Sequence, residues 1–357
     1  EPFTIIPFSY GFIVWFGSEN KGVDEAPVPP YMLSDAYEKT QRWLNNIDIE
    51  VVEDVNSHIV SGRGVKIITI AEAFHEKQIS DIADMILNQR RALRVVLISG
   101  PSSSGKTSFT QRLSTQLEVN GLKPVALSLD DYFKNREDTP LDEQGSYDFE
   151  ALEALDLELM HQQIEELISG KTVETPIYDF VSGKRSKQTR PLSVGPSQIL
   201  VMEGIHALNP KLVANINRNL MFKIYVSALG GLNVDLTNRL PTTEARLIRR
   251  LVRDDRYRNI HPEATLERWS SVRKGEQKYV FPFQEDADIM FNSSMIYEMN
   301  VMRPFAEASL NKISKGSPFY HSKERLMNLL SFFEPLEADK VPFNSILREF
   351  IGGSIYF

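Results

Sequence analysis

At 357 residues, with 40 Lys and Arg against 48 Asp and Glu, the chain carries a formal net charge of -8 at pH 7. The length allows one large α/β domain with appendages or two domains, and the acidic balance argues against a chain-wide nucleic-acid surface, leaving only a local basic patch for such a role. The absence of cysteine excludes disulfides and thiolate metal sites and fits the reducing cytoplasm, and the six histidines show no metal-ligand spacing.

In chain order, the apolar stretch from Phe3 to Phe16 is interrupted by Pro7, Ser9, Tyr10 and Gly11 and lacks a basic flank, so it is neither a membrane span nor a signal peptide. The chain opens on Glu1-Pro2 with no methionine, so a natural N-terminus upstream is expected. Phe12 to Phe16 reads as a strand, Ala26-Pro27-Val28-Pro29-Pro30 as a rigid extended linker, and Ser34 to Asn45 as a helix. Residues 1–62 are therefore read as an appended element, a remnant of a longer N-terminal region. Residues 63–92 follow as a strand, Val65 to Ile70, and a connecting helix, Ala71 to Arg90, with Ile79, Ile82, Ala83, Ile86 and Leu87 on one face.

The apolar run Arg94 to Ser99 reads as a buried parallel strand. It leads into Gly100-Pro101-Ser102-Ser103-Ser104-Gly105-Lys106-Thr107, which matches the phosphate-loop pattern G-x-x-x-x-G-K-[ST]. Glycines let the backbone curl until successive N–H groups of Gly100, Ser102, Ser103, Ser104, Gly105, Lys106 and Thr107 face one anion. Lys106 adds a mobile positive charge, and the Thr107 hydroxyl can ligate Mg²⁺. A nucleoside triphosphate is the expected guest. The helix that follows runs from Thr107 to Asn120, with Gly121 as its stop.

Val125 to Leu129 forms the next strand and ends in Asp130-Asp131, at the end of a parallel strand where ligands bind. One carboxylate there can take a proton from an attacking hydroxyl, hold Mg²⁺ through water, or merely cap a turn. Asp130, first after the apolar run, is the nearer candidate. Between this strand and the next lies an insertion. It comprises Tyr147-Asp148-Phe149-Glu150, a helix from Leu157 to Ile168, and a β-hairpin in which Val173 to Phe180 and Thr189 to Val194 flank Ser182-Gly183-Lys184-Arg185. Asp148 and Tyr178 either touch an acceptor molecule or serve turn and packing needs.

Gln198 to Met202 and then Glu203 have the form of a Walker B element, in which the acid orders the metal. His206 reads as a loop or core histidine. Met221 to Ala228 and Ala287 to Phe291 complete a five-stranded parallel sheet. Between these two strands, Thr242 to Arg258 is a helix with Arg246, Arg249, Arg250 and Arg253 on one face and Arg256 and Arg258 beyond. A run with six arginines and no lysine suits bidentate phosphate contacts and reads as a helical lid. The kinase unit is bounded at 93–317, with 318–357 as a C-terminal tail.

Together the phosphate loop, Ser128-Leu129-Asp130-Asp131-Tyr132-Phe133, Tyr147-Asp148-Phe149-Glu150, Tyr178-Asp179-Phe180, Glu203-Gly204-Ile205-His206-Ala207-Leu208 and the run Arg250 to Arg258 resemble the uridine kinase family, within the wider uridine kinase and phosphoribulokinase group. The resemblance covers about Arg94 to Lys312. Over the whole chain it looks nearest to longer bacterial nucleoside kinases with threonyl-tRNA-synthetase-like N-terminal domains, which share Ile70 to Lys77 and Ser345 to Ser354.

It implies a P-loop kinase fold, ATP with Mg²⁺, and transfer of the γ-phosphoryl group to the 5′-hydroxyl of a uridine- or cytidine-like nucleoside. Asp130 is then the general base, Thr107 and Glu203 serve the metal, and Lys106, Arg253 and Arg258 face phosphates. Asp148 and Arg250 hold ribose hydroxyls, Tyr178 lies against the base, and Arg256 belongs to the substrate-binding set. The chain departs from the family where Gly183 replaces a base-recognising histidine, where the lid is two residues shorter between Arg253 and Arg256, and where Arg268 stands for a glutamine. Base preference is therefore left open. So are kinases of another small alcohol, such as a sugar phosphate or pantothenate, and a nucleotide-dependent regulatory or RNA-associated protein. A cytoplasmic location is expected, with self-association left open.

Overall fold

The computed structural model describes residues 2–9, 11–17, 22–25, 28–89, 93–142, 145–180 and 182–356. Ala26 and Pro27 of the expected linker, and Arg90 at the end of the expected connecting helix, lie outside them. The first elements are an antiparallel pair, β1 (Thr4–Phe8) and β2 (Gly11–Trp15). Helix α1 (Tyr31–Asn46) covers the helical spacing read from Ser34, and α2 (Val52–Val60) follows.

The next element departs from the expectation. Residues 64–89 form a single helix, α3 (Gly64–Gln89), so no strand forms at Val65–Ile70. The run Val-Lys-Ile-Ile-Thr-Ile is rich in β-branched residues, which favour strands where nothing else decides. Packing decides here. Ile67, Ile68, Ala71, Glu72, His75 and Ile79 are all buried, at the three- and four-residue spacing of one helical face, and that face lies in the core.

The chain then runs through β3 (Val95–Ser99), α4 (Lys106–Val119), β4 (Lys123–Ser128), α5 (Leu157–Ile168), β5 (Thr172–Thr175), β6 (Tyr178–Asp179), β7 (Lys184–Arg185), β8 (Arg190–Ser193), β9 (Gln198–Glu203) and β10 (Met221–Ser227). It ends with α6 (Thr242–Tyr257), α7 (Pro262–Tyr279), β11 (Ile289–Asn292), α8 (Glu298–Leu310), α9 (Tyr320–Leu330) and α10 (Arg348–Ile351). Five strands form one parallel sheet in the order β11-β10-β3-β9-β4. The insertion folds as two nested antiparallel pairs, β5 with β8 and β6 with β7.

Both faces of the sheet are covered, which is why its strands read as unbroken apolar runs. Val96 and Ile98 face a cluster that includes Ile82 of α3, Leu113 of α4, Ile248 of α6 and Met302 of α8. Val95 and Leu97 point the other way, into a cluster with Met160 and Ile164 of α5. Leu44, Val52 and Val55 near the start of the chain, and Leu326, Phe333, Ile346 and Phe350 near its end, belong to the first cluster. The segments read as an appended element and a tail thus share a core with the sheet. No helix among the described residues is long and apolar enough to cross a membrane.

The phosphate-loop helix is pinned to this core by Phe109, which is 0% exposed and has its ring centroid 4.6 Å from that of Phe291. Phe109→Ala should cost about 3–5 kcal/mol of stability, read as a lowered urea midpoint at unchanged m-value.

Candidate active site

Strand β3 is the middle strand of the sheet, and its carboxyl end turns directly into the phosphate loop and α4. Packing shapes that loop. A Cβ at Gly100 would stand 2.0 Å from the carbonyl oxygen of Val226 on β10, so only glycine permits the approach. Gly105, the N-cap of α4, has φ +82°, and Ser103 adopts φ +58°, a conformation uncommon outside glycine. The first N–H groups of α4 have no intrahelical acceptors and stand at the positive end of the helix dipole, which makes the loop an anion-binding site by construction. Lys106 lies back along the loop, its Nζ donating to Pro101 O at 3.2 Å.

The carboxylates arrive from neighbouring strands. Glu203, the last residue of β9, pairs in register with Ile98 of β3 on one side and Ser128 of β4 on the other. Two residues past Ser128, Asp130 sits in the short 3₁₀ turn Leu129–Tyr132, its N–H donated to Ser128 Oγ at 3.3 Å. Burial raises the Asp130 pKa above the usual carboxylate range; Lys106 and then Arg258 oppose the rise, Asp131 adds to it, and Arg253 opposes it. Burial, and then the charge of Asp130, push Glu203 up to about 7. Lys106, Asp130, Glu203, Arg253 and Arg258 therefore act on one another across one small region. Asp131 does different work, accepting the backbone N–H of Tyr178 at 3.2 Å and so tying the hairpin to the strand end.

The Thr107 hydroxyl donates to Glu203 Oε1 at 3.4 Å. A hydroxyl beside a half-buried carboxylate whose pKa is raised is a donor set that gains from a cation. It fits Mg²⁺, which takes few protein ligands and completes its shell with water and phosphate oxygens. Among the described residues, no group of three or more His, Cys, Asp and Glu could form an all-protein metal site.

The arginines of α6 divide into two sets. Arg246 and Arg249 are each 1% exposed. Arg246 grips both carboxylate oxygens of Glu276 on α7 and donates to Ser102 O at 3.0 Å, while Arg249 pairs with Glu298 and reaches Ser103 O at 3.4 Å. These two brace the loop from outside. Arg250 donates to Ser102 Oγ at 3.0 Å and Arg253 to Ser103 Oγ at 3.3 Å, so the second half of the helix reaches the side chains of the loop. Asp254 anchors Arg250 at 3.3 Å and Arg258 at 3.4 Å. Arg256 is not part of this group; its guanidinium lies 4.5 Å from the ring centroid of Phe305 on α8.

On the acceptor side, Tyr178 packs with Phe133 and Phe180 at centroid distances of 5.6 and 5.0 Å. Arg185 fastens this hairpin through bonds to Phe133 O at 2.9 Å, Tyr132 O at 2.8 Å and Asp156 at 3.0 Å. Asp148 accepts the N–H of Glu150 at 3.2 Å in a local turn. A side chain at Gly183 would meet Arg136, whose Nε stands 2.7 Å from where its Cβ would be, so an arginine occupies the space that the glycine leaves. His206 is buried, and burial pulls its pKa down to about 4, in keeping with a core residue.

Three acidic residues at the site escaped the sequence reading. Burial raises Glu150 to about 7, and Arg250 opposes that rise. Glu276 accepts the Ser102 N–H at 3.0 Å, and Glu349 accepts from Ser108 and Arg253. Glu150 belongs to the Tyr147-Asp148-Phe149-Glu150 motif. Glu349 lies in the stretch Ser345 to Ser354 that resembles the longer nucleoside kinases, but nothing local to it or to Glu276 points to the loop, since each acts across space from a helix far along the chain.

Residues 95–299, more than half of the chain, match the phosphoribulokinase / uridine kinase family. The chain belongs to this family. It is similar to proteins named uridine kinase from Macrococcus caseolyticus (31% identical over 197 residues, 55% of this chain and 86% of that one) and Bacillus pumilus (31% over 198 residues, 55% and 84%). A third, from Mycoplasma genitalium, is 31% identical over 179 residues, 50% of this chain and 74% of that one. This member of the family is a phosphotransferase with an alcohol group as acceptor.

The raised carboxylates give this kinase a pH signature. A carboxylate whose pKa is raised is protonated on the acid side, losing both its proton-accepting and its cation-binding capacity. Its kcat/KM should therefore fall as pH drops through about 7, the value to which Glu203 is pushed, and higher Mg²⁺ should move that limb to lower pH. A pH–rate series at two Mg²⁺ concentrations checks both.

Proposed function

We propose that the chain transfers the γ-phosphoryl group of ATP to the 5′-hydroxyl of a nucleoside, with residues 93–317 as the kinase unit. The observation that carries this reading is the position of Asp130. It lies at the end of β4, within the electrostatic reach of Lys106, Arg253 and Arg258, and on the side where the aromatic hairpin is tied through Asp131. The names of the similar bacterial proteins support a nucleoside acceptor.

In this mechanism the triphosphate lies in the loop 100–107, its oxygens taking Lys106 and backbone N–H groups of the loop other than that of Ser102, which was expected to face the anion but is held by the Glu276 carboxylate. Asp130 accepts the hydroxyl proton as the acceptor oxygen attacks the γ-phosphorus in line. The bond to the β-phosphate oxygen breaks, leaving ADP and a nucleoside 5′-monophosphate. Lys106, Arg253 and Arg258 neutralise the equatorial oxygens while charge redistributes, so positioning and electrostatics supply most of the rate. Thr107 and Glu203 would hold Mg²⁺, which would supply positive charge to offset that of the phosphates. Tyr178 offers a ring face to the acceptor, and Asp148 and Arg250 are assigned to its hydroxyls.

A second reading, an acceptor carrying its own anionic group, is favoured by one observation. Arg136 fills the space at Gly183 beside the hairpin and bears electrostatically on Tyr178. A panel of uridine, cytidine, adenosine, ribulose 5-phosphate and pantothenate with labelled ATP separates the two. Label on the pyrimidine nucleosides supports the first, and label on the anionic acceptors alone supports the second. With the acceptor so identified, Asp130→Asn should lower kcat by about 10² to 10⁴. Lys106→Ala should abolish transfer, and retained transfer in that variant would refute the phosphate-loop assignment.

A further inference from the structure

The stretch that follows the family match contributes a carboxylate to the edge of the phosphate loop. Residues Ser345 to Ile351 form a buried knot whose Ile346, Leu347 and Phe350 are each 0% exposed, outside the matched 95–299. Arg348 ties it down by bonds to the carbonyls of Ala338 at 2.8 Å, Val341 at 3.2 Å and Gly352 at 3.1 Å. Tyr257, at the end of α6, donates to Ile351 O at 2.8 Å. So held, Ile346 closes over the loop, with its Cγ2 2.5 Å from where a Cβ on Gly105 would lie.

Glu349 stands between the two halves of the donor site. Its Oε2 accepts the Ser108 N–H at 3.3 Å and the Ser108 hydroxyl at 3.0 Å, and its Oε1 accepts Arg253 Nη1 at 3.4 Å. The other terminal nitrogen of Arg253 reaches Ser103 Oγ, and the Phe350 ring lies 6.0 Å from the guanidinium. Ser108 is the third residue of α4. Its N–H is one of the helix's orphan donors but lies one residue beyond Lys106 and Thr107, so Glu349 caps the helix without taking a donor from the phosphate-loop motif.

We infer that Glu349 is a positioning residue for phosphoryl transfer, holding Arg253 of α6 in register with the start of α4, so that the donor site of this chain is completed by its C-terminal segment. A carboxylate this near a triphosphate opposes binding through charge, and here that charge is set against the Arg253 guanidinium. Burial, and then Arg258, lower Arg253 to about 10, and Glu349 is the largest influence in the other direction. The inference rests on the kinase reading above, with Arg253 at the phosphates.

The test uses the full chain and follows ADP release from ATP, with uridine and without any acceptor, in Glu349→Gln, Glu349→Asp, Arg253→Ala and the Arg253→Ala/Glu349→Gln double variant. Glu349→Gln should lose about 10- to 100-fold in kcat, the scale of a small misplacement, with KM for ATP within about threefold of the parent. Glu349→Asp, which keeps the charge, should recover part of the loss. In the Arg253→Ala background Glu349→Gln should add nothing, because its effect runs through that arginine. Multiplying effects in the double variant, or a kcat loss matched by Glu349→Asp and by a lowered melting temperature, would reduce Glu349 to a structural cap. An unchanged kcat with a lower KM for ATP would make it a competitor for the phosphate site instead. Failure of the kinase reading looks different: the parent itself then releases no ADP. If the parent hydrolyses ATP but ignores uridine, cytidine and adenosine alike, the nucleoside assignment fails and the positioning role is read from hydrolysis.

Discussion

The phosphate loop of this kinase is held from behind by two buried guanidinium groups. Arg246 and Arg249 each pair with a carboxylate from another helix and turn a remaining N–H onto a loop carbonyl, at Ser102 and Ser103. Backbone carbonyls on the outer side of a tight loop would otherwise face an apolar interior, at a cost of several kcal/mol if left without donors. Bonding them to arginines supplies those donors and fixes the path of the loop. Breaking either ion pair would leave its partner charge buried alone, which typically costs about 3–5 kcal/mol. The integrity of the site therefore depends on groups that never touch a substrate.

This arrangement also explains why one helix carries so many arginines. Around its axis α6 presents apolar residues such as Leu247, Ile248, Leu251 and Val252 to the core. Its first two face arginines go to the loop's outer carbonyls, and Arg250 and Arg253 to the loop's serine hydroxyls. The division follows depth: the buried pair needs carboxylate partners and has them in Glu276 and Glu298, while the later pair stands nearer the opening. A further, partly buried network fixes the phosphate-loop helix to α3, where Arg112 meets Glu72 at 3.3 Å and Glu76 at 2.6 Å.

Much of the fold was legible because a sheet covered on both faces writes its strands as apolar runs, and β3, β4, β9, β10 and β11 lie where those runs placed them. The donor site was legible for a similar reason, since the phosphate loop is contiguous and its glycines and lysine are needed at fixed spacing. What escaped was through-space. Nothing near Glu276 or Glu349 marks either as a neighbour of the loop, and Arg256 looks like its helix mates until the structure stacks it on Phe305. The β-branched run at 65–70 misled because local preference is weak against a buried helical face. On the acceptor side, Gly183 flagged a difference from related kinases, but only the packing shows Arg136 filling the space.

The close approach of Gly100 to Val226, together with the left-handed Ser103, has a consequence for how binding energy is used. A loop wedged between a strand carbonyl and two arginines has few other conformations to leave when a nucleotide arrives. Its ordering entropy is lost once, as the chain folds, and not again at each turnover. Contacts to the triphosphate can then be strongest where charge moves during transfer rather than being spent on shaping the cradle, and that is how binding becomes catalysis.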